Sequence, residues 1–413
     1  MATRLKILIL AYTISPNSGS EPGNSWNLAE SLARLGHKVT VVTQLKNKQF
    51  LSYDPCFDFI YHDAPIPIHR LPLGTASVYI HYFTWQRSVS KLLRGKIFED
   101  YDVAHHISWG SFWLGTGLAN MHVPTVFGPC GYQKTQMKNL KLFGSSWKIE
   151  FIRETLLTHF FVKSSFFKKS IRNATLCLSA NEQSQQKLME VANKSSILFM
   201  VEGVKQLRNS SRNRILLRDP QNLIWIGRYL PRKGVPLLIK AIYELKKDFP
   251  NLHLTLVGDG AELQKVQETV HELNINKMVT FIHRVPNQEI FDLLDKNGLL
   301  ILPSLRESTG SQIMEAASLG LPTVFFEFIG ATTWFDHSTS YIVPVQKYVT
   351  EELLIQNLAN TIRSAFLADP TNYRNKSLAS LEVASRNTWQ KKTQDFLNIY
   401  NLAIQQYSGN VSK

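Results

Sequence analysis

Seven residues separate two carboxylates, Glu307 and Glu315, in the stretch RESTGSQIMEA from Arg306 to Ala316. The apolar Leu299–Leu302 ahead of them reads as a strand, and a helix opens near Ser311 and stops at Gly320-Leu321-Pro322. Glu307 then sits in the loop at the strand's carboxyl end, and Glu315 in the second turn of the helix. Each can accept paired hydrogen bonds from sugar hydroxyls. Between them, the backbone N–H groups of Ser308, Thr309, Gly310, Ser311 and Gln312 form a helix start suited to an anion. Taken alone, the pattern equally fits an acidic helix start followed by an ordinary surface glutamate.

A second constellation is Gly227–Gly234 (GRYLPRKG), directly after the apolar Leu223–Ile226. Arg228 can fork to a phosphate and Lys233 can approach it as a point charge. Read plainly, this is a basic strand-to-helix turn, with Lys233 a surface side chain of little weight for stability. Near the amino terminus, Ser15–Gly23 (SPNSGSEPG) reads as a glycine loop. There Gly19 and Gly23 let the backbone approach a ligand and Glu21 can touch it. His105 and His106 are neighbours in a strand and point to opposite faces, so one at most faces a ligand. His106 is taken as the one near the chemistry and His105 is kept as a substrate-binding candidate, although each also suits a buried structural role.

The elements that must position these groups alternate. Strands are expected at Leu5–Ala11, Lys38–Thr43, Ile66–His69, Val103–His106, Thr125–Phe127, Ala174–Leu178 and Ser196–Met200, with a helix at Ser25–Leu35. After the polar Gln206–Asn213, a second series follows: strands Leu223–Ile226, Leu252–Val257, Val279–Ile282, Leu299–Leu302, Thr323–Phe326 and Tyr341–Val343. Helices fall near Val235–Lys247, Ala261–Leu273, Asn287–Lys296, Ser311–Leu319 and Glu351–Leu367. Alternation of this kind implies α/β architecture with parallel, doubly wound sheets, whose ligands bind beyond the carboxyl ends of the strands. The expectation is two Rossmann-like domains facing a cleft, 1–205 and 206–385. A terminal helical stretch, 386–413, would pack back across them.

Composition narrows the class. Of 413 residues, 44% are hydrophobic and 19% charged, a globular balance. Only three cysteines occur, Cys56, Cys130 and Cys177, which excludes a disulfide scaffold and fits a reducing compartment. No apolar run is long enough to span a bilayer. The net charge of +14 calls for an anionic partner or serves solubility.

The order Gly-Arg…Lys-Gly, Val257-Gly258-Asp259-Gly260, then Pro303-Ser304…Glu307-x7-Glu315-Ala316…Gly320-Leu321-Pro322 resembles the retaining glycosyltransferases of family 4, which have the GT-B fold. Upstream, Trp26, Gly36-His37-Lys38-Val39, Asp102-Val103-Ala104-His105-His106 and Phe127-Gly128-Pro129-Cys130-Gly131 are similar to an envelope-polysaccharide branch of that family. The resemblance implies a nucleoside-diphosphate sugar bound mainly by the second domain. Glu315 would hold the ribose, Glu307 the transferred sugar, and Arg228 and Lys233 the diphosphate leaving group, with N–H donors from Thr309–Ser311. It implies no cofactor and no bound metal, and transfer of a hexose with retention to a cell-surface polysaccharide acceptor that is lipid-linked.

Lys134–Arg172 holds nine basic and two acidic residues interleaved with aromatics such as Phe143, Trp147, Phe151, Phe166 and Phe167. This suits peripheral contact with an anionic membrane, or a core face backed by a solvated basic one. No nucleic-acid motif accompanies it. A cytoplasmic enzyme working at the inner face of the cytoplasmic membrane is expected. The rivals are a nucleotide-sugar epimerase of the same fold and a non-catalytic glycan- or nucleotide-binding module.

Overall fold

The computed structural model describes residues 4–16, 20–50, 55–64, 75–110, 112–134, 137–156, 159, 163–205, 207, 218–346 and 350–411. The chain forms two compact units. Unit 1 comprises Met1–Tyr132, Thr155–Gly203 and Trp389–Lys413; unit 2 comprises Gln133–Glu154 and Val204–Thr388.

Unit 1 is built on a seven-stranded parallel sheet ordered β3-β2-β1-β4-β5-β6-β7. Its strands are β1 (Lys6–Ala11), β2 (Lys38–Thr43), β3 (Asp58–Tyr61), β4 (Val103–Ser108), β5 (Thr125–Cys130), β6 (Leu176–Ser179) and β7 (Ile197–Leu198). Helices α1 (Ser20–Arg34) and α2 (Thr75–Leu92) cover opposite faces. The alternation of β1 sorts them. Ile7 and Ile9 join Trp26, Leu28, Phe396 and Tyr400 in one core, while Leu8 and Leu10 join Tyr82 and Trp85 in the other. Burial on both faces is why β1 is apolar after Lys6.

Helix α3 (Trp147–Thr155) follows the 3₁₀ stretch Met137–Ser146; α4 (Ser165–Asn173) and α5 (Glu182–Ala192) complete the first series. Unit 2 has a six-stranded parallel sheet ordered β10-β9-β8-β11-β12-β13. These are β8 (Asn222–Ile226), β9 (His253–Val257), β10 (Val279–Ile282), β11 (Leu299–Leu302), β12 (Thr323–Phe326) and β13 (Tyr341–Val343). Its helices are α6 (Val235–Leu245), α7 (Leu263–Glu272), α8 (Asn287–Asp295), α9 (Ser311–Ala317), α10 (Glu351–Phe366) and α11 (Pro370–Arg386). Leu223, Trp225, Leu299 and Ile301 pack on one face, and Ile224, Ile226 and Leu300 on the other. The last helix, α12 (Trp389–Val411), packs within unit 1, where Phe396 and Tyr400 are fully buried.

Two features differ from the sequence reading, and two expected segments lie outside what can be compared. The strand expected at Ile66–His69 lies outside the described residues, as does most of the linker Gln206–Asn213. β3 was not expected: it is four residues long and half-exposed, too short for a pattern to show. Residues 133–154, which precede the division at 205/206, pack with unit 2 because Phe143 inserts into the core around Trp225, Tyr229 and Leu305.

Candidate active site

The carboxyl ends of β8 and β11 lie side by side, because these strands pair directly. β8 runs into Gly227–Leu230 and the 3₁₀ turn Pro231–Lys233; β11 runs into Pro303–Gly310 and α9. The first loop turns back at Gly234, where φ is +66° and a Cβ would lie 1.9 Å from the Pro303 carbonyl oxygen. Only glycine permits that approach, which presses the two loops together. The Leu305 N–H then donates to the Arg232 carbonyl at 2.8 Å.

This contact brings Lys233 onto Glu307. The lysine is a buried side chain, 5% exposed, and not the surface residue that a turn suggested. Its Nζ donates to Glu307 Oε2, and Arg232 Nη1 lies 3.5 Å from the same oxygen. Burial pushes the Glu307 carboxyl up, but Lys233, Arg232 and Arg306 outweigh it and hold the group below its ordinary value. Burial lowers Lys233, partly offset by Glu307. The two side chains form an ion-pair contact. Arg228 stands on the same loop, and its charge is felt by both Arg232 and Lys233. Among the described residues no carboxylate pairs with Arg228. Three cations, Lys233, Arg232 and Arg306, thus act on one half-buried carboxylate, with Arg228 close to the first two.

Glu315 is a different carboxylate. It lies half-buried on α9, and nothing among the described residues pairs with its side chain. Burial alone lifts it to about 7. α9 begins after Gly310, in the left-handed region at φ +81°, and no side chain caps it. The helix has seven residues, shorter than expected, so its first N–H groups, at Ser311 and Gln312, matter more than its dipole. Ser308 and Thr309 lie in the connecting loop at intermediate exposure.

Residues that the motif reading missed hold this loop. Gln133 Oε1 accepts from the Glu307 N–H, while its Nε2 donates to the Phe328 carbonyl at 2.9 Å. One amide thereby ties the loop after β11 to the loop after β12. The Gly330 N–H donates to the Glu307 carbonyl at 2.9 Å. Arg306 Nη2 donates to Glu150 at 3.0 Å, and Arg153 bonds the other Glu150 oxygen at 2.9 Å. No local signal marks Gln133 or Glu150, since their partners lie 174 and 156 residues away. Arg232 was adjacent to a residue already chosen, and only the fold of the tight turn shows that it faces Glu307.

The unit 1 candidates are placed differently. His105 and His106 do point to opposite faces of β4, but neither reaches solvent. His105 Nε2 donates to the Gly128 carbonyl at 2.7 Å and its Nδ1 accepts from Tyr400 at 2.7 Å; burial lowers it to about 4. His106 Nε2 donates to the Ser108 carbonyl at 2.6 Å, with Tyr82 Oη at 3.0 Å. Burial takes it to about 3, so the ring is neutral. His106 thus lies buried beneath α2, bonded within unit 1. Gly23 is buried inside α1, which starts at Ser20, so it does not line a loop. Gly19 lies outside the described residues. Glu21 accepts from the Gly110 N–H; burial and the charge of Glu202 raise it to about 7.

Two parallel, doubly wound α/β sheets in one chain fit the two-domain GT-B architecture. Sequence models agree: "Glycosyl transferases group 1" matches residues 208–377 and "Glycosyltransferase Family 4" matches 25–174, together more than half of the chain. The chain belongs to the family 4-like glycosyltransferases of GT-B fold. It is 22% identical over 309 residues to the gpi3 component of phosphatidylinositol N-acetylglucosaminyltransferase from Schizosaccharomyces pombe, covering 74% of this chain and 62% of that protein. It is 26% identical over 198 residues to a GDP-mannose-dependent α-(1-6)-phosphatidylinositol monomannoside mannosyltransferase of Mycolicibacterium smegmatis, covering 45% and 48%. Among solved structures, sucrose-phosphate synthase of Thermosynechococcus elongatus superposes with a TM-score of 0.70 at 19% identity, over 97% of this chain and 99% of that one.

Proposed function

We propose that this glycosyltransferase moves a hexose from a nucleoside diphosphate to a hydroxyl of a lipid-linked cell-surface glycan, with retention of configuration and without a metal. The reading rests on one observation: a cationic cluster and an unpaired carboxyl share the carboxyl edge of one sheet. Arg228 and Lys233 meet the diphosphate, offsetting the charge that develops on the leaving group. Glu315, ionised on binding, accepts hydrogen bonds from the ribose. Glu307 Oε2 orients Lys233, leaving Oε1 for sugar hydroxyls, and the Ser308–Ser311 backbone supplies N–H donors. No described side chain in unit 2 is set as a covalent nucleophile, so departure and attack occur on the same face of the sugar. The lipid acceptor is supported by the names of two relatives, both of which act on phosphatidylinositol lipids. Among the described residues no helix is long and apolar enough to cross a membrane, so contact with lipid would be peripheral.

The test is a panel of nucleoside-diphosphate sugars screened for protection against thermal unfolding and then for acceptor-dependent transfer. A ligand at about 100 times its Kd adds about 2.7 kcal/mol. Protection by no nucleotide would refute the donor site. Turnover of a donor to an isomer, without an acceptor, would favour an epimerase.

A further inference from the structure

Helix α3 is inside out. Its buried residues are the two acids, Glu150 and Glu154, bonded to Arg153 and, for Glu150, to Arg306. Apart from Lys148, its exposed residues are apolar: Trp147 is 42% exposed, Ile149 62%, Phe151 44% and Ile152 55%. Ile149 and Ile152 are three apart and lie on the side away from the glutamates, with Lys148 beside them. A surface helix ordinarily turns such residues inward, and a contiguous exposed apolar patch marks an interaction surface.

We propose that this outward face docks shallowly into an anionic phospholipid bilayer. This rests on the reading of a lipid-linked acceptor and deepens it by naming the surface that meets the lipid. Charge selects this occupant over a protein partner. The only acids between residues 133 and 156 are Glu150 and Glu154, and both are buried and ion-paired. What remains outward is positive, including the exposed Lys141 and Lys148. Apolar anchors framed by lysines, with no exposed acid, suit an interfacial helix on anionic lipid. The docking also has a consequence for the site. The buried face of the same helix holds Arg306, next to Glu307, so a docked α3 would hold the sugar-binding loop close to the bilayer surface.

The test uses the full chain and vesicles of phosphatidylcholine, with and without phosphatidylglycerol. The protein should float only with anionic vesicles, and binding should weaken as salt shortens the Debye length. The double substitution Ile149→Ser/Ile152→Ser should lower the partition coefficient at least about tenfold. Lys141→Gln/Lys148→Gln should lower it roughly tenfold to thirtyfold at low salt. All four side chains are exposed, so thermal unfolding and protection by UDP or GDP without lipid should not change. Trp147 emission should shift to the blue on anionic vesicles, isolated as the difference from Trp147→Phe. A wild type that ignores both kinds of vesicle while still binding nucleotide overturns the docking surface and leaves the donor site standing. Unchanged flotation of the Ile149→Ser/Ile152→Ser variant overturns it too. So does a concentration-dependent dimer without lipid that the same variant abolishes, since a second copy would then cover the face.

Discussion

Replacing Glu315 by Gln should stabilise the protein at alkaline pH while weakening nucleotide binding. The carboxyl has no partner among the described residues, and burial raises it from 4.5 to about 7. The folded state therefore holds the proton more tightly than the unfolded chain. Stability from this group is full below pH 4.5 and is lost as pH rises towards 7. At about 1.36 kcal/mol per pH unit, ionising it in place costs about 3 kcal/mol above pH 7. Gln keeps the shape and cannot ionise. The variant should match wild type near pH 4.5 and exceed it by up to about 3 kcal/mol at pH 8. Urea unfolding at both pH values, followed through unit 2's buried Trp225, measures the difference. Nucleotide affinity should move the other way. Hydrogen bonds to a charged acceptor contribute about 1.5–3 kcal/mol, so a nucleoside diphosphate should bind roughly tenfold to a hundredfold more weakly to the variant. For wild type, affinity should rise with pH through 7, because the carboxylate is the better acceptor. An equal stability difference at both pH values would show that Glu315 is solvated or paired, and the ribose assignment would fall with it.

Lys233→Ala should lose about a hundred- to a thousandfold in turnover. It should also lose about 3 kcal/mol or more of stability, since Glu307 is left buried beside fewer cations; kinetics and urea unfolding read the two effects. Gly234→Ala should destabilise unit 2 by at least about 2 kcal/mol, because its Cβ meets the Pro303 carbonyl and its φ is positive; soluble yield and Tm check this. Gln133→Ala should raise the KM for donor and lower kcat by about tenfold, by releasing both the Glu307 and Phe328 loops. Gln133→Glu, which can still accept from Glu307 but no longer donates to Phe328, should restore part of the loss.

Much of the fold was legible because both sheets are buried on both faces. Most of their strands are predominantly apolar runs, and those of unit 2 came within a residue of their observed limits. The candidate site was legible only one loop at a time. Glu307 and Lys233 each stood out, but their pairing across 74 residues depends on Gly234 pressing against Pro303. The histidines show a similar limit. Alternation correctly sends His105 and His106 to opposite faces of β4. That both faces are closed depends on α2 over His106 and on Tyr400, 295 residues away, over His105.

Helix α3 shows why periodicity stops there. A period of 3.6 separates one face of a helix from the other, but it does not state which face turns inward. Hydrophobicity supplies that choice by default, and for α3 the default is wrong. Arg153 and Arg306 neutralise Glu150 and Glu154, making the charged face the one that can be buried. The aromatic residues of the basic stretch divide accordingly. Phe143 and Phe167 serve two different cores, whereas Trp147 and Phe151 remain outside. The side that packs was decided by Arg306, which the sequence reading had taken only as the neighbour of Glu307. The residue that anchors the loop before α9 is thus also the one that turns the apolar side of α3 outward.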